Sequence, residues 1–267
     1  MSYSSEVDDE LNMSLSTRQR HIVDLLRDKE ALSVAELAHY FQVTPQTIRR
    51  DLNRLYMANL LRRHHGGAQI VHSPVNSSFQ SRRIRHLPAK ARIGKAVSAL
   101  IPQGSSLLFG FGTTPEQVAL ALAQHQHLTV VTNNLAVALA LNHEQSNRIV
   151  LPGGCLRQPN PEILGAEAVA LFQSYRADFG VYGAGGVDSD GVLLDFDHDE
   201  VSCHTALRQS CRVRILVLDS SKFGRQAPMP SGHVQEADYI VTDKPLPEGI
   251  AAYLASHTQI IIAEKEE

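Results

Sequence analysis

Residues 44–52 combine the start of a helix with a row of side chains that can read DNA. Thr44 is a good N-cap residue, and Pro45 suits the first helical position, where its missing N–H costs nothing. Ile48 and Leu52, four residues apart, give this helix one apolar seam. The other side chains carry amide, hydroxyl and guanidinium groups that suit base edges and phosphates. The candidate DNA-contacting residues are Gln46, Thr47, Arg49, Arg50 and Arg54. The segment predicts a recognition helix.

The flanking residues predict the rest of a winged helix-turn-helix. Residues 17–26 have the apolar spacing of a first helix, and Ser33 is placed to cap a second one. Gln42 stands in the turn where a small residue is common, so we do not expect a turn of the tightest type. Residues 60–61 and 69–71 predict two short strands around a glycine turn. Three residues of this wing are expected near the DNA backbone or minor groove: Arg62, Arg63 and His64.

Basic residues are concentrated in one part of a chain that is acidic as a whole. The 267 residues carry a formal net charge of −3. Residues 43–95 hold eleven Lys or Arg and a single acid, Asp51, whereas the remainder holds fourteen basic and twenty-seven acidic residues. Such a patch attracts phosphates and releases counterions, while an acidic remainder limits non-specific binding. A solvated charged surface is the alternative, and the overlap with the helix-turn-helix pattern favours double-stranded DNA as a partner.

The bulk composition suits a small head joined to a larger α/β domain. With 43% apolar residues the chain can fill an ordinary core. Residues 1–14 are polar and acidic, and we expect them to be a disordered tail. The sequence holds no signal peptide and no run of about 18 apolar residues, so no membrane association is expected. The three cysteines have no metal or redox spacing, which favours a reducing cytoplasm: Cys155, Cys203 and Cys211.

The second half of the chain alternates short apolar runs with helical patterns. Strands are predicted at residues 106–109, 128–132, 148–151, 179–182, 213–218, 239–241 and 259–262. Helices are predicted at residues 116–123, 135–141, 166–174, 200–210 and 249–255. This alternation predicts an α/β fold with a doubly wound, mainly parallel sheet. The expected organisation is a tail (1–14), a DNA-binding domain (15–71), a linker (72–90) that leads into a helix near residues 90–100, and a sensing domain (91–263).

The residues that follow the predicted strands suggest a binding site, because ligands of open α/β sheets lie beyond the carboxyl ends of the strands. Glycines, hydroxyls, amides and a lysine recur there, and one glycine turn leads into a helix N-terminus that suits an anion. The candidate effector-binding residues are Gly112, Thr113, Thr114, Thr132, Asn133, Gly153, Gly154, Arg157, Asp195 and Lys222. Glycines and hydroxyls also cap helices in any α/β fold, and it is their recurrence at successive strands that favours a site for a phosphorylated polyol or sugar.

Cofactor and metal sites are not expected. Residues 183–188 lack the last glycine of the dinucleotide fingerprint, and no P-loop is present. Residues 195–204 are rich in acids and histidines, but their spacing fits no standard metal site. Helix capping around Asp199, with pocket lining by Asp195 or Asp197, is the favoured interpretation.

Taken together, these motifs resemble the DeoR family of bacterial transcriptional regulators from about residue 15 onward. In the head the similarity lies in residues 45–53 and 63–68, and in the second half in residues 112–116, 131–135, 188–191 and 221–225. The resemblance implies a repressor on palindromic half-sites, a homodimer or homotetramer, and a sensing domain related to sugar-phosphate isomerases. It also implies a non-catalytic site for a phosphorylated effector, with glycerol 3-phosphate expected.

Two residues depart from the pattern of the family. Gly110 stands where such repressors carry an aspartate, and His204 stands where a basic residue is common. The alternative function is a sugar-phosphate isomerase with an appended head, which requires a positioned acid and base. The candidates for that pair are Asp195, Asp197, His198 and Glu200.

Overall fold

The structure, a computed structural model, describes residues 15–29, 31–57, 61–64, 67–70 and 79–263. The chain forms two compact units, Met1–Ser73 and Pro74–Glu267. The predicted tail (1–14), the wing-turn residues His65 and Gly66, and residues 72–78 of the predicted linker lie outside the described residues. Within the described ranges, no helix has the length and apolar character needed to cross a membrane.

The first unit is the expected winged helix-turn-helix. Its elements are α1 (Thr17–Lys29), β1 (Ala31–Ser33), α2 (Val34–Phe41), α3 (Pro45–Met57), β2 (Leu61–His64) and β3 (Gly67–Ile70). The strands form an antiparallel sheet in the order β1-β3-β2. The sequence did not predict β1, since three residues are too few to show an alternating pattern. β2 also runs further toward the turn than expected, so Arg62 to His64 lie in a strand.

The helix starts and the α2–α3 turn have clear local causes. Ser33 and Glu36 form a capping box at the start of α2. Thr44 caps α3, its side-chain oxygen accepting from the Thr47 N–H at 3.3 Å. Gln42 ends α2 with φ of +52°, in the left-handed region. The turn is therefore tighter than the sequence suggested, and a glutamine holds a conformation that favours glycine.

The second unit is built on a seven-stranded sheet. Its strands are β4 (Ser106–Phe109), β5 (Thr129–Thr132), β6 (Arg148–Val150), β7 (Ala177–Tyr182), β10 (Cys211–Leu218), β12 (Tyr239–Thr242) and β13 (Gln259–Ile262). The helices are α4 (Phe79–Ile84), α5 (Leu87–Ser98), α6 (Thr113–Ala121), α7 (Leu135–Leu141), α8 (Ala166–Gln173), α9 (His198–Gln209) and α10 (Glu248–Ala251). All pairings within this sheet are parallel, which confirms the predicted fold class.

Apolar residues cover both faces of the sheet, as a doubly wound fold requires. One cluster joins Phe109 and Val217 to α5, α6 and α7 residues. The other joins Leu108 and Leu216 to α8 and α9 residues such as Phe172. A small antiparallel sheet, in the order β11-β9-β8, was not predicted. It consists of β8 (Gly186–Val187), β9 (Val192–Asp195) and β11 (Met229–His233).

The order of the strands places a binding crevice between β4 and β7. The sheet runs β13-β12-β10-β7-β4-β5-β6, so the chain winds outward from β4 in one direction and from β7 in the other. The two strands are neighbours, with Phe109 opposite Val181. Ligands of open α/β sheets bind at such a reversal, beyond the carboxyl ends of the strands. The loops after β4, β7 and β10 are therefore expected to line a binding site.

Candidate DNA-binding and effector-binding sites

Most of the α3 side chains that were predicted to contact DNA are exposed. Gln46, Arg49, Arg50 and Arg54 are exposed. Thr47 is half-buried, and its hydroxyl lies 3.0 Å from that of Thr44. The opposite side of α3 is held in the core of the unit by Ile48, Leu52 and Leu55. The helix thus presents one amide and three guanidinium groups on a face with no packing role.

Asp51, the single acid of the basic segment, is buried rather than mixed with the exposed arginines. Its carboxylate is 5% exposed and accepts hydrogen bonds from Arg18 Nε at 2.6 Å and Gln19 Nε2 at 2.9 Å. These contacts fasten α3 to α1. The exposed face of α3 therefore keeps its positive charge, because the carboxylate is directed inward and neutralised by a residue of another helix.

The wing is described at the level of its backbone. Arg62, Arg63 and His64 lie on β2, and their side chains lie outside what the structure describes. A Cβ at Gly67 would overlap the Leu32 carbonyl oxygen, so only glycine lets β3 approach β1 this closely. The Tyr56 hydroxyl donates to the Gly67 carbonyl at 3.0 Å and ties the wing to α3.

The basic segment 43–95 is not one patch. Six of its eleven basic residues belong to the second unit: Arg82, Arg83, Arg85, Lys90, Arg92 and Lys95. Arg82, Arg83 and Lys90 fall within the segment predicted to be a linker. Residues 79–84 and 87–90 of that segment are helical. Arg83 pairs with Glu116 of α6 at 2.9 Å, and Arg82 donates to Asn160 at 3.1 Å. This part of the predicted linker is therefore packed against the sensing unit.

Lys90 of α5 is buried beside the turn that begins α6. It is 3% exposed, and its ammonium donates to the Thr113 hydroxyl at 3.0 Å and to the Arg82 carbonyl at 2.6 Å. Gly112 precedes α6 with φ of +115°, a left-handed conformation that favours glycine. The lysine therefore lies at a helix N-terminus that follows β4, where N–H groups and the helix dipole attract anions.

Four further cations interact electrostatically with one another and with Lys90. Arg82 and Arg85 come from the region of α4, while Lys222 and Arg225 follow β10. We refer to these residues as the cation cluster: Arg82, Arg85, Lys90, Lys222 and Arg225. Lys222 is half-buried, and its ammonium forms no hydrogen bond or ion pair with any residue that the structure describes. The buried Asp219 carboxylate lies among these cations and accepts from the Ser221 N–H at 3.2 Å.

Three members of the cation cluster have pKa values below their ordinary range, mainly because they are buried. Burial, together with repulsion by Arg82 and Arg85, lowers the pKa of Lys90 to about 8. Burial and the same two arginines lower the pKa of Arg225 to about 10. Burial, followed by Arg225, lowers the pKa of Lys222 well below its ordinary value. Attraction by Asp219 opposes each shift without cancelling it, so a bound anion would stabilise the charged forms.

The polar residues after β5 hold the loops of the site in place. The Thr132 hydroxyl donates to the Phe109 carbonyl at 3.1 Å and accepts from the Asn134 N–H at 3.0 Å. The Asn133 side chain donates to the Ile163 carbonyl at 3.1 Å, whereas its buried Oδ1 has no hydrogen-bond partner among the described residues. Thr132 thus has a structural role in this geometry, and Asn133 retains an acceptor. Thr114, also predicted to bind the effector, is buried on α6.

Arg157 is engaged by carboxylates rather than left open for an anion. Its Nη1 contacts Glu200 at 3.1 Å and Glu162 at 3.4 Å, and its Nη2 lies 3.7 Å from Asp197. Burial raises the pKa of both glutamates, and their mutual repulsion adds to the shift of Glu162. This network favours a structural role for Arg157.

The glycines before Arg157 shape the loop in which it lies. Gly153 is exposed, and a Cβ there would meet no atom within 4 Å. Gly154 turns the loop with φ of +121°, a conformation that favours glycine. Both were predicted to bind the effector, and this stays a prediction.

Asp195, at the end of β9, and His204, on α9, form a buried pair. His204 Nδ1 donates to Asp195 Oδ2 at 2.8 Å, and both residues are 1% exposed. Asp195 Oδ1 accepts from the Gly185 N–H at 2.8 Å, and the Gly185 carbonyl accepts from Arg225 at 2.9 Å. Asp197 caps α9 by accepting from the Asp199 N–H at 2.9 Å. Gly185 thus connects Asp195 to Arg225 of the cation cluster through two hydrogen bonds.

Sequence reasoning identified Lys222 but missed four members of the cation cluster: Arg82, Arg85, Lys90 and Arg225. The first three lie within the basic segment that was assigned to DNA, and Arg225 ends the glycine-containing loop after β10. A signal was available for Lys90, since it lies near the start of the helix that leads into the first strand of the sheet. No periodicity marks Arg82 or Arg85, because their role depends on contacts with residues distant in sequence.

Both units match models of a single protein family. A model described as the DeoR-like helix-turn-helix domain matches residues 18–74, and one described as the DeoR C terminal sensor domain matches residues 85–244. Among solved structures, ribose 5-phosphate isomerase A from Methanocaldococcus jannaschii is 14% identical, with a TM-score of 0.37 over 52% of this chain and 55% of that one.

Relatives match over nearly the full length. The chain is 42% identical over 245 residues to the glycerol-3-phosphate regulon repressor of Escherichia coli (strain K12), which covers 92% of this chain and 97% of that protein. It is 43% identical over 242 residues to the glycerol-3-phosphate regulon repressor of Haemophilus influenzae, covering 91% of this chain and 94% of that protein. The two matched domains coincide with the two units of the structure. The chain therefore belongs to the DeoR family.

Proposed function

We propose that this protein is a transcriptional repressor that releases its operator DNA when a phosphorylated small metabolite binds, and that the metabolite is glycerol 3-phosphate. The observation that carries the effector proposal is the cation cluster, which gathers residues of the α4 region, Lys90 beside the start of α6, and two residues that follow β10. The exposed basic face of α3 supports the DNA-binding part. The names of the relatives support glycerol 3-phosphate.

A phosphate monoester fits the cation cluster better than a carboxylate does. Its doubly charged form presents three acceptor oxygens, and several cations can contact it at once. Thr113 adds a hydroxyl and the start of α6 adds N–H groups, both typical of phosphate sites. Asn133 Oδ1, buried and without a described partner, supplies an acceptor for a hydroxyl of the same ligand.

The proposal includes no catalytic step. An isomerase needs an acid and a base that can exchange protons with the substrate. Glu200 is instead bound to Arg157 at 3.1 Å and to the Phe196 N–H at 2.9 Å. Asp195 is bound to His204 and the Gly185 N–H, and Asp197 caps a helix. His198 lies in the first turn of α9. Each candidate acid is therefore occupied by a structural contact.

The position of Arg82 and Arg85 suggests how ligand and DNA binding are coupled. Both lie in or just after α4, which follows the DNA-binding unit along the chain. A phosphate that recruits these arginines would fix the segment that leads to the head. In a homodimer or homotetramer, two recognition helices enter successive major grooves at palindromic half-sites. The effector then acts by favouring an arrangement that cannot span both half-sites, which requires different affinities for the two arrangements.

The test measures DNA and ligand binding on the same preparations. A duplex selected from a random library by the full-length protein serves as the operator probe, and fluorescence anisotropy follows its release. We expect glycerol 3-phosphate to release the duplex from the wild-type protein. Lys222→Ala should bind the duplex normally and resist release. Lys244→Ala is the matched control, because Lys244 is an exposed lysine of the same unit outside the cation cluster.

Three results would contradict parts of the proposal. Loss of duplex binding in Lys222→Ala with intact ligand binding would refute its role in the effector site. Release by another phosphorylated sugar, but not by glycerol 3-phosphate, would refute the effector while leaving the repressor function in place. Turnover of a sugar phosphate by the purified protein would favour the isomerase alternative.

A further inference from the structure

His204 is held in one orientation at the binding crevice. Its Nδ1 donates to Asp195 at 2.8 Å, and its ring stacks on Phe111 with centroids 4.1 Å apart and planes 13° from parallel. Asp195 is itself fixed by the Gly185 N–H. Because a carboxylate only accepts hydrogen bonds, this contact places a proton on Nδ1, and Nε2 of the neutral ring then carries the lone pair. The tautomer and direction of the ring are set before any ligand binds.

The Nε2 atom makes no hydrogen bond that would stabilise the fold within the described residues. It is buried and has no hydrogen-bond partner among the described residues. Leaving a buried acceptor unpaired is costly, so such atoms need an explanation. Nε2 faces Gly110, where a Cβ would lie 3.2 Å from it. Gly110 is not among the positive-φ residues, so a side chain there would crowd the His204 ring without straining the backbone.

The imidazole and the cation cluster share one end of the sheet. Gly110 and Phe111 form the turn between β4 and α6, and Thr113 at the start of α6 contacts Lys90 at 3.0 Å. Asp195 is linked to Arg225 both electrostatically and through Gly185. Nε2 therefore lies at the β4–β7 crevice, beside the residues proposed to hold a phosphate.

We propose that His204 is a specificity-determining residue of the effector site, with Nε2 accepting a hydrogen bond from a hydroxyl on the carbon chain of a phosphorylated ligand. This inference rests on the proposed function, because it assumes a phosphate on the cation cluster. It adds a chemical requirement that the cluster cannot impose. The ligand must carry an O–H donor next to its phosphorylated end, so the class is phosphorylated polyols and sugars. Gly110, which has no side chain, avoids crowding Nε2.

Calorimetry on the full-length protein tests the pairing of hydroxyl and histidine. A panel of glycerol 3-phosphate and common sugar phosphates is titrated first, and its tightest member is compared with propyl phosphate, which has no hydroxyl. His204→Phe keeps a ring for stacking on Phe111 and removes Nε2. We expect this variant to bind the hydroxylated ligand 10- to 100-fold more weakly and propyl phosphate within about threefold of wild type. Gly110→Ala, which crowds Nε2 from another element, should reduce the same discrimination.

The outcomes separate the two levels of the proposal. If no phosphate ester binds the wild-type protein, the proposed function fails. If the wild type does not distinguish the hydroxylated ligand from propyl phosphate, the assignment of His204 is overturned while the phosphate site stands. If His204→Phe binds both ligands more weakly by the same factor and melts at a lower temperature, His204 has only a structural role and the inference is overturned. If that variant does not fold, Gly110→Ala decides, since retained discrimination there overturns the inference.

Discussion

The pKa of Lys90 predicts how phosphate binding changes with pH. Burial, with repulsion by Arg82 and Arg85, lowers this pKa to about 8 in the ligand-free protein. Only the ammonium form attracts a phosphate, so affinity should fall as pH rises through this value. Between pH 7.5 and 9.5 the protonated fraction of such a lysine falls about 25-fold, equivalent to about 1.9 kcal/mol of binding free energy.

At acidic pH, the change in binding affinity is caused by protonation of the ligand. A phosphate monoester takes up its second proton near pH 6, so the doubly charged form is lost below that value. Affinity should therefore be highest between about pH 6 and about 8. The assay is calorimetry with glycerol 3-phosphate from pH 5.5 to 9.5. Lys90→Met keeps the apolar part of the side chain and removes the ammonium. This variant should bind glycerol 3-phosphate more weakly at pH 7.5, and its affinity should fall less between pH 7.5 and 9.5.

The ligand-free protein should respond to pH in the opposite direction. A lysine whose pKa is lower in the folded state binds fewer protons there than in the unfolded chain. The stability of the sensing unit should therefore rise between pH 8 and 10.5, by at most about 3 kcal/mol from Lys90. Melting curves without ligand measure this. An affinity that stays constant from pH 7.5 to 9.5, together with a melting temperature that does not rise, would refute the reasoning.

Three predictions concern the DNA-binding unit. Arg50→Ala should weaken operator binding by about 1–3 kcal/mol per subunit without changing ligand affinity, and unchanged affinity in anisotropy assays would show that α3 does not read DNA. Asp51→Ala leaves the buried Gln19 amide unpaired and should lower the free energy of unfolding by about 1–3 kcal/mol; a urea titration that matches the wild type would contradict this. Gln42→Gly relieves a left-handed φ of +52° and should raise that free energy by about 0.5–1 kcal/mol, whereas a loss would mean that the glutamine side chain stabilises the turn.

The parallel sheet was predictable because its strands are continuous apolar runs. Strands buried on both faces need such runs, and the runs of the second unit matched observed strands to within a few residues. The small sheet gave no such signal. β8 has two residues, and β11 contains a proline and a glycine, so neither shows an alternating pattern. These strands form because the loops after β7 and β10 pack against each other.

The site was predictable only where its residues follow a strand. Lys222 and Thr113 were found because the carboxyl ends of parallel strands meet at one edge. Arg157 was read as a ligand for an anion, since its carboxylate partner Glu200 is 43 residues away. Arg82 was read as part of a DNA-binding patch, because sequence order places it near the head. Ion pairing and burial decide such roles, and both depend on distant residues.

We therefore propose that the basic segment between residues 43 and 95 binds two different anions. Its first part, on α3 and β2, suits the long phosphate backbone of DNA, since the arginines of α3 are exposed and Asp51 is turned inward. Its second part, on α4 and α5, suits a single small phosphate, because Arg82 and Lys90 are buried and Lys90 shares Asp219 with Lys222. Exposed charges bind polyanions through many weak, salt-dependent contacts, whereas buried charges gain most from one well-placed dianion. The two parts follow one another along the chain, which is consistent with the proposed coupling between effector binding and DNA binding.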